Sequence, residues 1–350
     1  MTSICYRLLR NLGSAALVVA LATGCSQPLL ARPSTQSPIL PPKPQPGAPQ
    51  EVQKPYYFPN RPITLLVGAP RGARRDIAAR LLAPVLERTV GQPVLVANHP
   101  GGDGAEAWTQ LKQARPDGYT LGQVVSPQFQ ALALGSQKAA FAVGDFVPLA
   151  EQAREPGALF VRSSSPFKTV EELLDAAKAE ANRISFSVVQ GSAADVLAAA
   201  EFQQKAGVKL RVIQYANATD ALMAALSGQV DADLGALAAI APSTRSGQGR
   251  LLAILDDTRP KDYPDIPALR ERGVDVSVSS SVGYLLPRDT SPDLVELLAW
   301  AFYLAISNQE YQDRMAEAGI PVSYRAGNPY GRFLSSEAER VRRLLPLVER

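Results

Sequence analysis

Two adjacent arginines, Arg74 and Arg75, stand in a loop running from Ala69 to Asp76. A guanidinium stays charged, and its planar fork matches a carboxylate bidentately. The pair can clamp an anion; it can equally fill a pocket and end binding, or lie solvated on the surface. A second loop, Val188 to Asp195, offers the amides of Gly191, Ser192 and Ala193 and the Ser192 hydroxyl at a predicted helix start. Exposed N–H groups at such a start hold anions. Gln190 is either a side-chain binder or a plain loop residue. The usual groups of catalysis are scarce. There is one histidine, His99, in a turn, and the two cysteines, Cys5 and Cys25, precede any plausible folded domain. A structural disulfide is excluded on that placement, and a histidine-based metal site is disfavoured. Asp231 and Asp233 share a strand face, but no nucleophile accompanies them; Asp231 reads best as part of a structural turn. The arginines Arg340, Arg342 and Arg343 read as a solvated face of the last helix. We expect no metal, no cofactor and no catalysis.

These loops are positioned by alternating elements. Ile63 to Val67, Val94 to Ala97 and Tyr119 to Val125 read as strands, with helices over Asp76 to Thr89 and Glu106 to Ala114. The helical spacing of Ile77, Leu81, Leu82, Val85 and Leu86 supports the first helix, and Gly91 stops it. Further on, strands are predicted over Ala158 to Val161, Ile184 to Ser187, Leu210 to Gln214, Ala232 to Leu234 and Leu251 to Leu255. Helices are predicted over Ala193 to Lys205, Ala218 to Leu226, Pro292 to Ile306, Gln309 to Ala318 and Tyr330 to Val348. Thr169 and Glu172 suggest a capping box for another helix, ending at Ala179. Alternation of this kind indicates βαβ units and a mostly parallel sheet. Such sheets bind ligands beyond the carboxyl ends of their strands. The loops after Val67, Val125 and Ser187 are therefore the expected site walls.

Composition agrees with a soluble domain facing no polyanion. Thirty-six Lys and Arg against 33 Asp and Glu leave a formal charge of +3, so nucleic acid is not an indicated partner. The N-terminus reads as an export signal: Arg7 and Arg10 precede an apolar run from Leu12 to Ala22, then Gly24 and Cys25. That run is short for a membrane span. The segment up to Cys25 resembles a bacterial lipobox, implying cleavage before Cys25 and acylation of its thiol. The common pattern has leucine where this chain has Ala22. Residues 26–56 form a spacer whose recurring prolines favour extended polyproline II.

Several segments, in order, resemble the substrate-binding proteins of tripartite tricarboxylate transporters, the Bug or TctC type. They are Phe58 to Val67, Gly91 to Gly102, Pro116 to Leu121, Gly228 to Asp231 and Tyr263 to Pro267. The run Pro116, Asp117, Gly118, Tyr119, Thr120, Leu121 is the most specific of them. The resemblance implies an α/β fold of the periplasmic-binding-protein type II, with two α/β domains joined by a hinge. The domains would be residues 57–157 with 282–350, and residues 158–281, with crossings near Glu155 to Ala158 and Val278 to Val282. It also implies a small carboxylate ligand, permease subunits as partners, and attachment to a membrane through the Cys25 lipid. Carried onto this sequence, the ligand-binding positions are Ala73, Arg74, Arg75, Asp76, Ser126, Gln128, Gln190, Gly191, Ser192 and Tyr215. The chain departs from the family where Arg74 and Arg75 replace small residues, and where Pro127 removes an N–H donor. Asp76 is expected either to orient Arg74 or to cap its helix. Tyr215 either stacks on ligand or packs at a domain edge. A sensor or scaffold with an altered pocket is the alternative function.

Overall fold

A computed structural model describes residues 58–136 and 139–349. The expected signal, Cys25 and the spacer lie outside the described residues.

The first half begins with β1 (Ile63–Val67), α1 (Arg74–Val90), β2 (Val94–Asn98), α2 (Ala105–Gln113), β3 (Thr120–Ser126) and α3 (Gln128–Leu134). Strand β1 pairs in parallel with β2 and β3, because a helix separates each strand from the next. Gly91, at φ 75°, closes α1 in the left-handed conformation that glycine takes freely. The second half repeats the scheme. Its elements are α4 (Val170–Ala179), β5 (Ser185–Val189), α5 (Ala193–Ala206), β6 (Arg211–Tyr215), α6 (Ala218–Ser227), β7 (Ala232–Ala236), α7 (Leu237–Arg245) and β8 (Gly249–Leu255). There β5 lies parallel to both β6 and β7.

One long strand serves both halves. β4 (Phe146–Arg162) pairs with β9 (Ser279–Pro287) from Phe146 to Pro156, and with β7 and β8 from Gly157 onward. The chain finishes on the first half with α8 (Pro292–Ile306), α9 (Gln309–Glu317), β10 (Val322–Ala326) and α10 (Gly327–Val348). The strand order is β2-β1-β3-β9-β4-β7-β5-β6, with β8 and β10 also on β4. The expected mostly parallel sheet is therefore corrected to a mixed one. Every pairing made by β4 or β9 is antiparallel, because these strands return across the molecule instead of following a βαβ crossover.

Each half has its own core. Leu65, Leu82, Leu86, Tyr284 and Phe302 pack together in the first. Leu159, Phe186 and Phe202 do so in the second. The Pro116 to Leu121 motif turns out to be a brace for the first core. Gly118, at φ 79°, turns tightly enough that a Cβ there would meet the Phe58 ring at 2.8 Å. The Tyr119 hydroxyl accepts from the Asn60 amide at 2.9 Å and donates to the Asn60 side chain at 2.8 Å, while Arg61 lies 3.8 Å over its ring. Asp231 is likewise structural, accepting from the Ser185 amide at 2.8 Å and hydroxyl at 2.7 Å. Thr169 caps α4 as expected, although Glu172 reaches back to the Lys168 amide and not to that of Thr169.

Of the α10 arginines, Arg342 and Arg343 are exposed as expected, but Arg340 is not part of a solvated face. The Arg340 side chain is only 10% exposed and pairs with Glu201 of α5 at 2.7 Å and with Glu337 at 3.1 Å. Arg343 pairs with the same Glu201 at 2.9 Å. This network ties the last helix of the first half to a helix of the second.

Candidate functional site

The loops after β1, β3 and β5 converge on one cleft of about 390 Å³, within the range of small-molecule pockets. Its first wall is the start of α1. Ala73 occupies the N-cap position without a side-chain cap. The loop is held from behind instead. Asp76 accepts from the Gly72 amide at 2.8 Å, from Asn98 at 2.8 Å and from Arg80 Nε at 2.9 Å. Asn98 also donates to the Ala69 carbonyl at 2.9 Å. Burial pushes the Asp76 carboxyl up, but the bonds from Arg80, the Gly72 amide and Asn98 outweigh it and hold it below the usual carboxylate range. Asp76 thus neither caps the helix from the N-cap position nor orients Arg74; it braces the loop from behind the cleft wall.

With the loop fixed, Arg74 and Arg75 both face the cleft, yet they differ. Arg74 forms an ion pair with Glu155 of β4 and donates to the Gly319 carbonyl at 3.0 Å. Arg75 has no ion-pair partner among the described residues. The charge it senses is that of Asp103, which counters the lowering that burial causes. Asp103 sits at φ 55° on the turn before α2 and lines the same cleft.

The second wall is the start of α5. Gly191, at φ 73°, turns the chain, and Ser192 caps the helix by accepting from the Asp195 amide at 3.3 Å. Gln128 reaches over from α3 and accepts from the Ala193 amide at 3.1 Å, linking the loops after β3 and β5. A Cβ on Gly191 would lie 4.0 Å from the Asp103 carboxylate, so the two walls approach there. Behind this wall, burial pushes Asp195 up to about 6 against the opposing bonds from the Val189 amide and Ser192. Burial likewise pushes Asp233 up to about 7, with the Ser187 hydroxyl (2.7 Å) opposing and the Asp195 charge adding to it.

Of the expected binding residues, Arg74, Arg75, Gln128, Gln190, Gly191 and Ser192 meet at the cleft. Ala73, Asp76, Ser126 and Tyr215 do not line it. Ser126 is fully buried, and Tyr215 packs on the cluster of Ala158 and Phe160 while its carbonyl accepts from the Gln190 amide. Sequence reasoning missed two cleft carboxylates, Asp103 and Glu155, as ligand-facing groups. Asp103 had one signal, its place directly after Gly101 and Gly102. Glu155 had been read only as part of a crossing.

The geometry can be set beside known proteins. A model of the tripartite tricarboxylate transporter family receptor, TctC, matches residues 78–349. The Cupriavidus necator "UPF0065 protein in gbd 5'region" is 30% identical over 293 residues, covering 84% of this chain and 88% of that protein. A TctC solute-binding protein from Polaromonas, solved without ligand, is 28% identical with a TM-score of 0.77, covering 83% of this chain and 99% of that one. MatC of Rhodopseudomonas palustris, solved with bound malate, is 26% identical with a TM-score of 0.65, covering 82% of this chain and 100% of that one. Two α/β halves sharing crossing strands, a cleft between paired helix starts, and a match through most of the folded chain agree on one assignment: the chain belongs to the tripartite tricarboxylate transporter receptor (TctC, or Bug) family.

Proposed function

We propose that this protein is a non-catalytic solute receptor that works outside the cytoplasm, held to a membrane through acylated Cys25, and that it delivers a small carboxylate solute to a tripartite permease. The observation that carries the reading is the cleft itself. The starts of α1 and α5 and the unpaired Arg75 guanidinium open on one space. First-turn N–H groups lack intrahelical partners, and those that Gln128 and Ser192 leave free suit a carboxylate together with a guanidinium. The bound malate of MatC supports the same ligand class. Residues 57–157 with 282–350, and residues 158–281, are proposed as the two domains. They would close about the crossings near Glu155 to Ala158 and Val278 to Val282, with ligand shifting the open–closed equilibrium.

A thermal-shift screen against a carboxylate library tests this. A ligand at a hundredfold excess over Kd adds about 2.7 kcal/mol of stability, and Arg75→Ala is expected to abolish the shift. The ion pair of Arg74 with Glu155 favours one alternative, a sensor or scaffold whose cleft is closed by its own side chains. A well-folded protein that no carboxylate stabilises, but that responds once Arg74→Ala is introduced, would select the alternative.

A further inference from the structure

The charges of the cleft narrow the ligand, on the footing of the receptor reading above. Four ionised side chains line it: Arg74, Arg75, Asp103 and Glu155. Arg74 and Glu155 neutralise each other directly. Arg75 and Asp103 are not paired: neither has an ion-pair partner among the described residues, although the Asp103 charge acts on Arg75. The walls therefore present one uncommitted cation and one uncommitted anion, with a net charge near zero. A ligand carrying only carboxylates can satisfy Arg75 and the N–H groups of α5 that Gln128 and Ser192 leave free, but it meets Asp103 with like charge. An ammonium group meets Asp103 with opposite charge. Asp103 stands near Gly191, 4.0 Å from where a Cβ there would lie, so a ligand held at the start of α5 comes within its reach.

We propose that Asp103 is a specificity residue that selects carboxylates bearing an ammonium group, that is, amino acids, over carboxylates of the same skeleton without one. The carboxylate lies against Arg75 and the start of α5, and the ammonium against Asp103. Gly191 serves the arrangement by having no side chain between Asp103 and the ligand.

The test is calorimetric titration of the protein with matched pairs: aspartate against succinate, and glutamate against glutarate. The wild-type protein is expected to bind the amino acid of a pair about tenfold or more tightly, the scale of one hydrogen bond between charged partners. Asp103→Asn is expected to remove that preference. Asparagine keeps the shape and tolerates the positive φ of this position, so the variant folds, and an unchanged melting temperature verifies that. Equal binding within each pair, or a preference that survives Asp103→Asn, overturns the proposal and leaves the receptor reading standing. Binding of none of the four compounds, nor of the wider carboxylate library, overturns both.

Discussion

The two walls of the cleft are built to one plan and differ in one electrostatic detail. Each begins a helix directly after a parallel strand, and each carries an aspartate as the third helical residue, Asp76 in α1 and Asp195 in α5. Asp76 is surrounded by donors: the Gly72 amide, Asn98 and Arg80. Asp195 has the Val189 amide at 3.3 Å and Ser192 but, among the described residues, no ion-pair partner, with Asp233 behind it. Donors favour the charged carboxylate, whereas burial without them disfavours it. The first wall thus stays in one charge state through the physiological pH range, and the second changes state near pH 6. A helix start with a fixed backbone brace can present side chains, here the two arginines. One with small residues at its first two positions can present only its N–H groups, and its field depends on the carboxylate next to them.

The sharpest way to break the contrast is to remove the brace. Asp76→Ala removes one acceptor each from Asn98 and Arg80, which among the described residues keep only the Ala69 carbonyl and the Asn98 side chain respectively, and releases the Gly72 amide. The Asp76 carboxylate is buried but the Arg80 side chain is 36% exposed, so losing the carboxylate costs about 1.5–3 kcal/mol; chemical denaturation should show a loss of that size, with carboxylate binding lost alongside. A loss below about 1 kcal/mol would mean that Asp76 does not hold the wall.

Next in size is the buried carboxylate behind the second wall. Asp233 is 3% exposed, and its folded pKa of about 7 lies above the unfolded value. Between those two values the folded state binds more protons than the unfolded one, so stability is greatest below the unfolded pKa and falls as pH rises through about 7. Asp233→Asn keeps an acceptor for the Ser187 hydroxyl and removes the charge. At pH 8 the variant should be more stable than wild type by on the order of 2–3 kcal/mol, and the slope of melting temperature against pH should flatten between pH 4 and 7. A variant that is less stable than wild type at pH 8 would show that the charge of Asp233 is compensated by something other than Ser187.

Much of this molecule could be read from its residues, and the unread parts share a cause. The βαβ units declare themselves through apolar runs, helical spacing and a glycine stop, as at Gly91. The first part of β4 does not. Pro148 and Pro156 interrupt it, and Glu151 and Gln152, both fully buried, look like surface residues. Their burial is tolerable because Glu151 receives the Ser281 and Ser323 hydroxyls and pairs with Arg325 at 3.5 Å, and Gln152 donates to the Ala78 carbonyl and Tyr311. Those partners come from distant segments that local patterns do not reveal. The site divides the same way. The two loop walls are contiguous motifs, so Arg74, Arg75 and Gly191 stood out. Asp103 and Glu155 join the cleft through tertiary placement alone, as does the pairing that engages Arg74 and leaves Arg75 free. Arg340 looked solvated because Glu201 is more than a hundred residues away in sequence.

The finest comparison of the two walls is a binding titration across pH. Asp195 adjoins the N–H groups that the ligand carboxylate would use, and its pKa is raised by burial to about 6. Above that pH its negative charge repels an anionic ligand; below it the neutral acid does not. An anion bound at that start raises the Asp195 pKa further, which couples partial proton uptake to ligand binding. Affinity for a carboxylate should therefore rise as pH falls from 7.5 to 5.5, by about two- to fivefold, the size of one charge acting at a helix start. The ligand carboxylate stays ionised over that interval, so the change belongs to the protein. Asp195→Asn should give the low-pH affinity at every pH. Asp76→Asn, which retains an acceptor in the first wall, should leave the pH dependence in place at whatever affinity it retains. A dependence that follows Asp76 and not Asp195 would reverse the roles of the two walls.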